Sequence, residues 1–270
     1  MLRIACDVHT HTLYSRHAYS TIEENVRAAR EASLELLGST DHFSRMVYAP
    51  RGIAGDERFD VRDYQYFLNY LCWPRTWREV SLFRGCEADI VDLDGHLFGW
   101  DVSVPEAING YVYDKPQNLK ERVFRESDYV IASVHDESIC DGASVEHATQ
   151  MYLNALKDPK VLILGHVIRS GVNFELDPVL DAVRESGKLV EINESTLADY
   201  PELVPAVKDL ARRCAQKGVM VSTGSDSHIS ATIGRFERTR ALLEEVDFPQ
   251  ELVATSSAET FLKVMRRAIA

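Results

Sequence analysis

An α/β fold with parallel strands, either a closed βα barrel or an open βα sheet, is what this 270-residue sequence predicts. Three observations carry the prediction. Seven short apolar or β-branched runs recur along the chain, several of them continuous rather than alternating, as expected of strands covered on both faces. Helical patterns with start and stop signals lie between most of them. Histidines and carboxylates collect directly after the runs, at strand ends that converge on one face of a parallel sheet. Periodicity does not separate the closed form from the open one.

The first run is Leu2–Cys6, and Ser20 with Glu23 then forms a capping-box pattern ahead of Ile22, Val26 and Ala29. Leu36–Ser39 and Ser81–Cys86 are the second and third. Between them residues 43–80, rich in Tyr, Trp, Arg and Asp, predict a loop and a helix near Tyr64–Leu71. A polar connection with scattered Gly and Pro, residues 92–127, precedes the fourth run, Tyr129–Val134. After the fifth, Val161–Leu164, the pair Asp177-Pro178 reads as an N-cap and first turn, with Leu180 and Val183 inward and Gly187 as terminator. Leu189–Asn193 is the sixth. Leu203, Val207, Leu210, Ala211 and Cys214 then keep helical spacing until Lys217-Gly218, ahead of the seventh, Val219–Thr223. No repeat, low-complexity tract or linker interrupts this order, so a single domain over residues 1–270 is expected.

Hydrophobic residues make up 45% of the chain, enough to bury a core, which excludes a disordered protein. No run approaches the roughly 20 apolar residues of a membrane span. The start, Met1-Leu2-Arg3-Ile4, lacks the regions of a signal peptide. Five scattered cysteines without a C-x-x-C pair indicate neither a disulfide framework nor a thiolate zinc site, so a reducing, cytoplasmic setting is expected. Asn193-Glu194-Ser195 fits a glycosylation pattern and reads as chance. The net charge of −12 argues against a broad nucleic-acid-binding face, while leaving room for one small cationic pocket.

Nine histidines concentrate the chemistry. His9 and His11 follow the first run, His42 the second, His135 the fourth, His166 the fifth, and His228, with Asp226, the seventh; Glu87 ends the third, and His17 lies eight residues past His9. Each alone reads more readily as a hydrogen-bonded structural group. Seven histidines and two carboxylates at one end of a sheet do not, because buried ionisable groups need partners or metals. His96 and His147 fall in a loop and a helical pattern and keep the structural reading. At about three protein ligands per catalytic ion, nine candidates serve about three ions, with a carboxylate bridging two. Imidazole with carboxylate suits zinc, iron or manganese, and clustered divalent ions suit hydrolysis of phosphoryl esters.

The segments His9-Thr10-His11, Thr40-Asp41-His42, Glu87, Ser133-Val134-His135, Gly165-His166 and Gly224-Ser225-Asp226-Ser227-His228 resemble the PHP (polymerase and histidinol phosphatase) superfamily, nearly end to end. His17-Ala18-Tyr19-Ser20 and Val246-Asp247-Phe248-Pro249 are similar to its stand-alone bacterial phosphoesterases with three metal ions. The resemblance implies a distorted seven-stranded, TIM-like (β/α)7 barrel with three divalent ions at its mouth, zinc first and manganese or iron as alternatives. It implies one ion on His9, His11, Glu87 and Asp226, a second on Glu87, His135 and His166, and a third on His17, His42 and His228. The long segment 43–80 departs from the compact relatives, so substrate identity does not carry over.

Arg16, Arg45 and Arg169 each neighbour an expected ligand, and Arg169, three residues after His166, is the preferred phosphate clamp. Glu87, Asp226 and Arg169 are thus the expected catalytic residues. Asp41, Asp136 and Glu137 are expected to support the ligands or carry protons, Asp41 by orienting an imidazole, while Tyr48, Phe59, Tyr64, Tyr66, Phe67, Trp73 and Trp77 suit a lid or helix packing. The expected activity is hydrolysis of a small phosphorylated metabolite, as a phosphomonoester, by a metal-activated hydroxide. Histidinol phosphate and nucleotide or phosphodiester substrates are the alternatives. A polymerase-associated PHP module fits poorly with this length and with the lack of a basic patch. A small phosphorylated substrate is the expected partner, with neither membrane nor nucleic acid, and homo-oligomerisation stays open.

Overall fold

The computed structural model describes residues 2–47, 62–107 and 109–269. Its strands are β1 (Cys6–Thr10), β2 (Leu36–Ser39), β3 (His42–Phe43), β4 (Thr76–Trp77), β5 (Val80–Asp89), β6 (Ser103–Glu106), β7 (Val112–Asn118), β8 (Tyr129–Ser133), β9 (Val161–Leu164), β10 (Leu189–Asn193) and β11 (Val221–Gly224). Its helices are α1 (Ile22–Glu31), α2 (Leu119–Glu126), α3 (Val145–Ala155), α4 (Leu176–Ser186), α5 (Glu194–Asp199), α6 (Val204–Lys217), α7 (Glu237–Glu245) and α8 (Ala258–Ala268). Seven strands run parallel in the order β1-β2-β5-β8-β9-β10-β11. The last meets the first through a parallel bridge between Thr10 and Ser227, flanked by Asp226 N–H to His9 O at 2.8 Å and His11 N–H to Ser227 O at 2.9 Å. The result is a nearly closed barrel, the closed alternative of the two that periodicity allows.

Continuous apolar runs are explained by this closure. Every residue of β8, β9 and β10 is buried, because helices cover one face and the barrel interior the other. Cys6, Leu36, Tyr129, Leu162 and Leu189, near the starts of their strands, cluster with Phe261 and Val264 of α8. The C-terminal helix therefore packs against the end of the barrel opposite the strand termini. Inside, the Tyr129 hydroxyl donates to Val8 O at 2.6 Å, passing over Gly38. A Cβ on Gly38 would lie 1.9 Å from that hydroxyl and 3.1 Å from the Val8 backbone. Gly38→Ala should therefore destabilise the fold by about 1–3 kcal/mol, as overpacking does. An unchanged thermal unfolding midpoint would remove this account of the glycine.

Several boundaries differ from expectation. β1 begins at Cys6, where the first apolar run was expected to end, and β5 continues to Asp89. His9 and Glu87 therefore lie within strands. The capping box of α1 is Thr21 with Glu24, one residue later than Ser20 with Glu23, because the Ser20 hydroxyl is taken by the Ser230 N–H at 2.9 Å. The N-cap of α4 is Glu175 without a side-chain cap bond, and Asp177 pairs instead with Arg213 on α6 at 3.2 Å. Gly187 and Gly218 terminate α4 and α6 in the left-handed conformation, as expected. Residues 92–127 contain the β6–β7 hairpin, and Arg62–Cys72 forms a 3-10 segment kinked at Asn69.

Candidate metal centre

Glu87 is the hub. Fully buried on β5, it places Oε2 at 2.9 Å from His42 Nδ1, 3.3 Å from His9 Nε2 and 3.6 Å from His11 Nε2. Its Oε1 lies 2.7 Å from His166 Nε2 and 3.3 Å from His135 Nε2, and accepts from Ser133 Oγ at 2.7 Å. Asp226 Oδ1 lies 3.0 Å from His11 Nε2 and 3.6 Å from His9 Nε2. His228 stacks on His11 with ring centroids 4.3 Å apart, and exposed His17 lies 4.3 Å from His228 and 5.1 Å from His42. The nine residues expected from the sequence thus form one cluster drawn from six of the seven barrel strands and the loops after them. β10 is the exception.

The local backbone serves this convergence. β1 carries a register shift against β2 between Asp7 and Thr10, the stretch that holds His9. His166 and Asp226 hold positive φ, at 26° and 54°, a conformation that non-glycine residues adopt only where surroundings impose it.

Within the cluster, three groupings among the described residues bring ligand atoms close enough to share an ion: His9 with His11 and Asp226, His42 with Glu87 and His135, and His11 with His42 and His228. The chemistry of the donors fits a metal. Among the described residues, His9 Nε2, both ring nitrogens of His42, Glu87 Oε2, His166 Nδ1 and His228 Nε2 are buried without a hydrogen-bond partner. Buried polar atoms are normally satisfied. His42 Nδ1 and Glu87 Oε2 approach to 2.9 Å without hydrogen-bond alignment, an arrangement suited to two groups facing a common cation.

The electrostatics agree. Burial alone would raise the Glu87 carboxyl, but His135, His9 and His42 override it and hold it well below the usual carboxylate range. Asp226 is likewise buried yet held down by His9, His11 and Arg169. Burial, followed by neighbouring imidazoles, pushes His11 well below its ordinary value and His17 down to about 4. Such imidazoles are neutral at neutral pH, the form that binds metal. His9 is the opposite case. Burial disfavours its charge, yet Glu191, Glu87 and Asp226 together lift it well above the ordinary value. Negative charge around His9 exceeds what one imidazole neutralises, a further reason for a cation there.

Other expected residues take more specific places. Arg169 reaches the cluster, but its Nη2 is committed to Asp226 Oδ2 at 2.7 Å and Nη1 lies 3.4 Å from Ser195 Oγ. Its loss would therefore disturb Asp226 as well as any phosphate contact. Asp41 contacts no imidazole directly: it accepts from Thr12 N–H at 2.7 Å, Thr12 Oγ1 and Tyr66 OH at 2.8 Å, and Ser15 Oγ at 2.6 Å. The expectation that Asp41 orients a ring is corrected, because Ser15 stands between them, 3.1 Å from His11 Nδ1. Asp136 caps the 3-10 turn Glu137–Cys140. His96 pairs with Asp92 and stacks on Trp100, away from the cluster.

Of the aromatic set, Tyr48 and Phe59 lie outside the described residues, while Tyr64 and Phe67 are core. Tyr66 and Trp73 line a cleft of about 530 Å³ with Thr12, Tyr14 and Asn69. Sequence reasoning missed Glu191, Asn193, Ser15 and Asp89. Asp89 holds His135 Nδ1 at 2.7 Å, and Glu191 holds His9 Nδ1 at 2.8 Å. The available signal was a Glu and an Asn two residues apart inside an otherwise apolar strand, Leu189–Asn193.

Comparison with known proteins agrees with the geometry. The chain is 34% identical over 266 residues to a probable phosphatase of Clostridium acetobutylicum, covering 98% of this chain and 96% of that protein. It is 33% identical over 267 residues to a probable phosphatase of Acetivibrio thermocellus, covering 98% and 97%. Its fold matches that of the histidinol phosphate phosphatase of Lactococcus lactis, solved with zinc, L-histidinol and phosphate, with a TM-score of 0.53 at 19% identity over 92% of this chain and 95% of that one. The model of the PHP domain matches residues 7–195, the stretch that supplies all of the cluster except Asp226 and His228. With relatives above 30% identity along nearly its whole length and that match over most of it, the chain belongs to the PHP domain family.

Proposed function

We propose that the chain is a metal-dependent phosphoesterase that hydrolyses a small phosphorylated metabolite as a phosphomonoester, using three divalent transition-metal ions, zinc first. The observation that carries this reading is the set of buried, unpartnered donor atoms around Glu87. Its relatives' description as probable phosphatases supports the reaction class. His9, His11, Glu87 and Asp226 would hold one ion, Glu87, His135 and His166 a second, and His17, His42 and His228 a third. His42 belongs both to the grouping with His11 and His228 and to the one with Glu87 and His135, which makes it the residue between two sites.

Divalent ions held there supply Lewis acidity toward phosphoryl oxygens and lower the pKa of water. The chain's own groups do the rest. Glu87 and Asp226 stay ionised and gather the imidazoles around them. Arg169 fixes Asp226 with one edge of its guanidinium and turns its remaining N–H donors to a phosphate oxygen. Ser133 and Asp89 hold the second group in register by fixing Glu87 and His135.

Elemental analysis of the purified protein, with reconstitution in zinc or manganese, followed by a panel of phosphate esters, tests the reading. About three ions per chain and turnover of small phosphomonoesters, with single-stranded DNA a poor substrate, are expected. One ion or fewer after reconstitution would sink the trinuclear model. Efficient diester cleavage without monoesterase activity would replace the substrate class.

A further inference from the structure

Glu191 lies on β10 with 2% of its surface exposed and belongs to none of the proposed ligand groups. Its Oε1 accepts from His9 Nδ1 at 2.8 Å, and its Oε2 accepts from the His166 backbone N–H at 3.0 Å and from Asn193 Nδ2 at 3.2 Å. The same Asn193 amide lies 3.4 Å from Asp226 Oδ2. The space is held open on purpose by Gly224. A Cβ there would sit 2.4 Å from Glu191 Oε1 and 2.5 Å from His9 Cβ. One buried carboxylate therefore touches His9, the backbone of His166 and, through Asn193, Asp226, three residues that are 217 positions apart at their extremes (226 − 9).

We propose that Glu191 is the positioning residue of the site formed by His9, His11 and Asp226, a reading that rests on the proposed metal centre. By accepting a hydrogen bond from His9 Nδ1–H it keeps the proton on Nδ1 and leaves Nε2 unprotonated, the nitrogen that faces Glu87 and Asp226. A glutamine at this position cannot do the same. It offers one acceptor oxygen where two donors, His9 Nδ1–H and His166 N–H, must be met. With the oxygen toward His166, its NH2 group faces His9 Nδ1 and drives the ring to the tautomer protonated on Nε2, which cannot bind metal. With the oxygen toward His9, two N–H groups confront each other in a buried site. Either way the first ion is weakened, while the site of His17, His42 and His228 is untouched.

The test is a zinc titration of chelator-stripped wild type, Glu191→Gln and Glu191→Asp, with bound metal counted by elemental analysis and thermal unfolding recorded for the metal-free proteins. Glu191→Gln should lose about 10–100-fold in affinity for one ion, the cost of removing a carboxylate behind a ligating histidine, and keep the others. Glu191→Asp, which retains two acceptor oxygens, should recover part of the loss. Wild-type metal affinity in Glu191→Gln overturns the proposal, and so does a lowered metal-free melting temperature with affinity unchanged, which would make Glu191 purely structural. If Glu191→Gln fails to fold, Glu191→Asp decides alone: its shorter reach must weaken one ion selectively, and equal affinity for all ions overturns the role. A wild type that takes up no ions overturns the metal-dependent reading as well, so the two failures are distinguishable.

Discussion

Glu87→Gln is expected to strip more than one ion and to lower phosphoesterase turnover by well over about a hundredfold. Loss of a residue merely behind a ligand costs 10–100-fold, and Glu87 itself stands among five imidazoles. The amide that replaces one oxygen would point a donor at ring nitrogens that need an acceptor or a cation. It would also remove the charge on which the buried cluster is centred. His17→Ala is the matched contrast. His17 is exposed and touches the cluster only through His42 and His228, so its loss should empty one site and leave the ions around Glu87 in place. Metal counts on the two variants check the pair. Full metal and full activity in Glu87→Gln would show that Glu87 does not bridge.

The second large effect concerns stability. Removing divalent ions with a chelator should lower the thermal midpoint by roughly 5–10 °C for each ion lost. A ligand at a hundred times its Kd stabilises by about 2.7 kcal/mol, and a chain of this size gains about 2–4 °C per kcal/mol. Without ions, Glu87 Oε2 and the two ring nitrogens of His42, which have no hydrogen-bond partner among the described residues, carry a burial penalty. Thermal scans with and without chelator, followed by zinc or manganese add-back, measure this directly. Superimposable curves would mean that the cluster is satisfied without metal.

How much of this was legible in the sequence depends on what each strand had to carry. Leu36–Ser39, Val161–Leu164 and Leu189–Asn193 are read residue for residue, because a short, mostly apolar run between polar flanks has few other uses. β1 and β5 are misplaced at the end that holds the chemistry. Asp7, His9, Thr10 and Glu87 look like loop residues after a strand, whereas they are strand residues buried by the site they build. Placing chemistry only after strands also hid Glu191 and Asn193, which lie inside one. Asp41 shows a different limit. Its partners Thr12, Ser15 and Tyr66 are 25 to 29 residues away, and no local pattern indicates which side chains a loop will meet. The nine-residue cluster itself was readable because its residue types are rare at strand ends, so their coincidence outweighed uncertainty about each.

The seam between β11 and β1 has a consequence for how the chain reaches its final form. Every other barrel neighbour is joined across a single crossover, but this junction must bring together residues near the two extremes of the chain, Thr10 and Ser227. Closing so long a loop yields no contacts until it is nearly complete, and the backbone bridge there is short. His9 and His11 stand on one side of that junction, and Asp226 and His228 on the other. Ions held between them would act as rivets across that joint. Metal supply would then favour the closed barrel over an open sheet, coupling stability of the fold to acquisition of the cofactor.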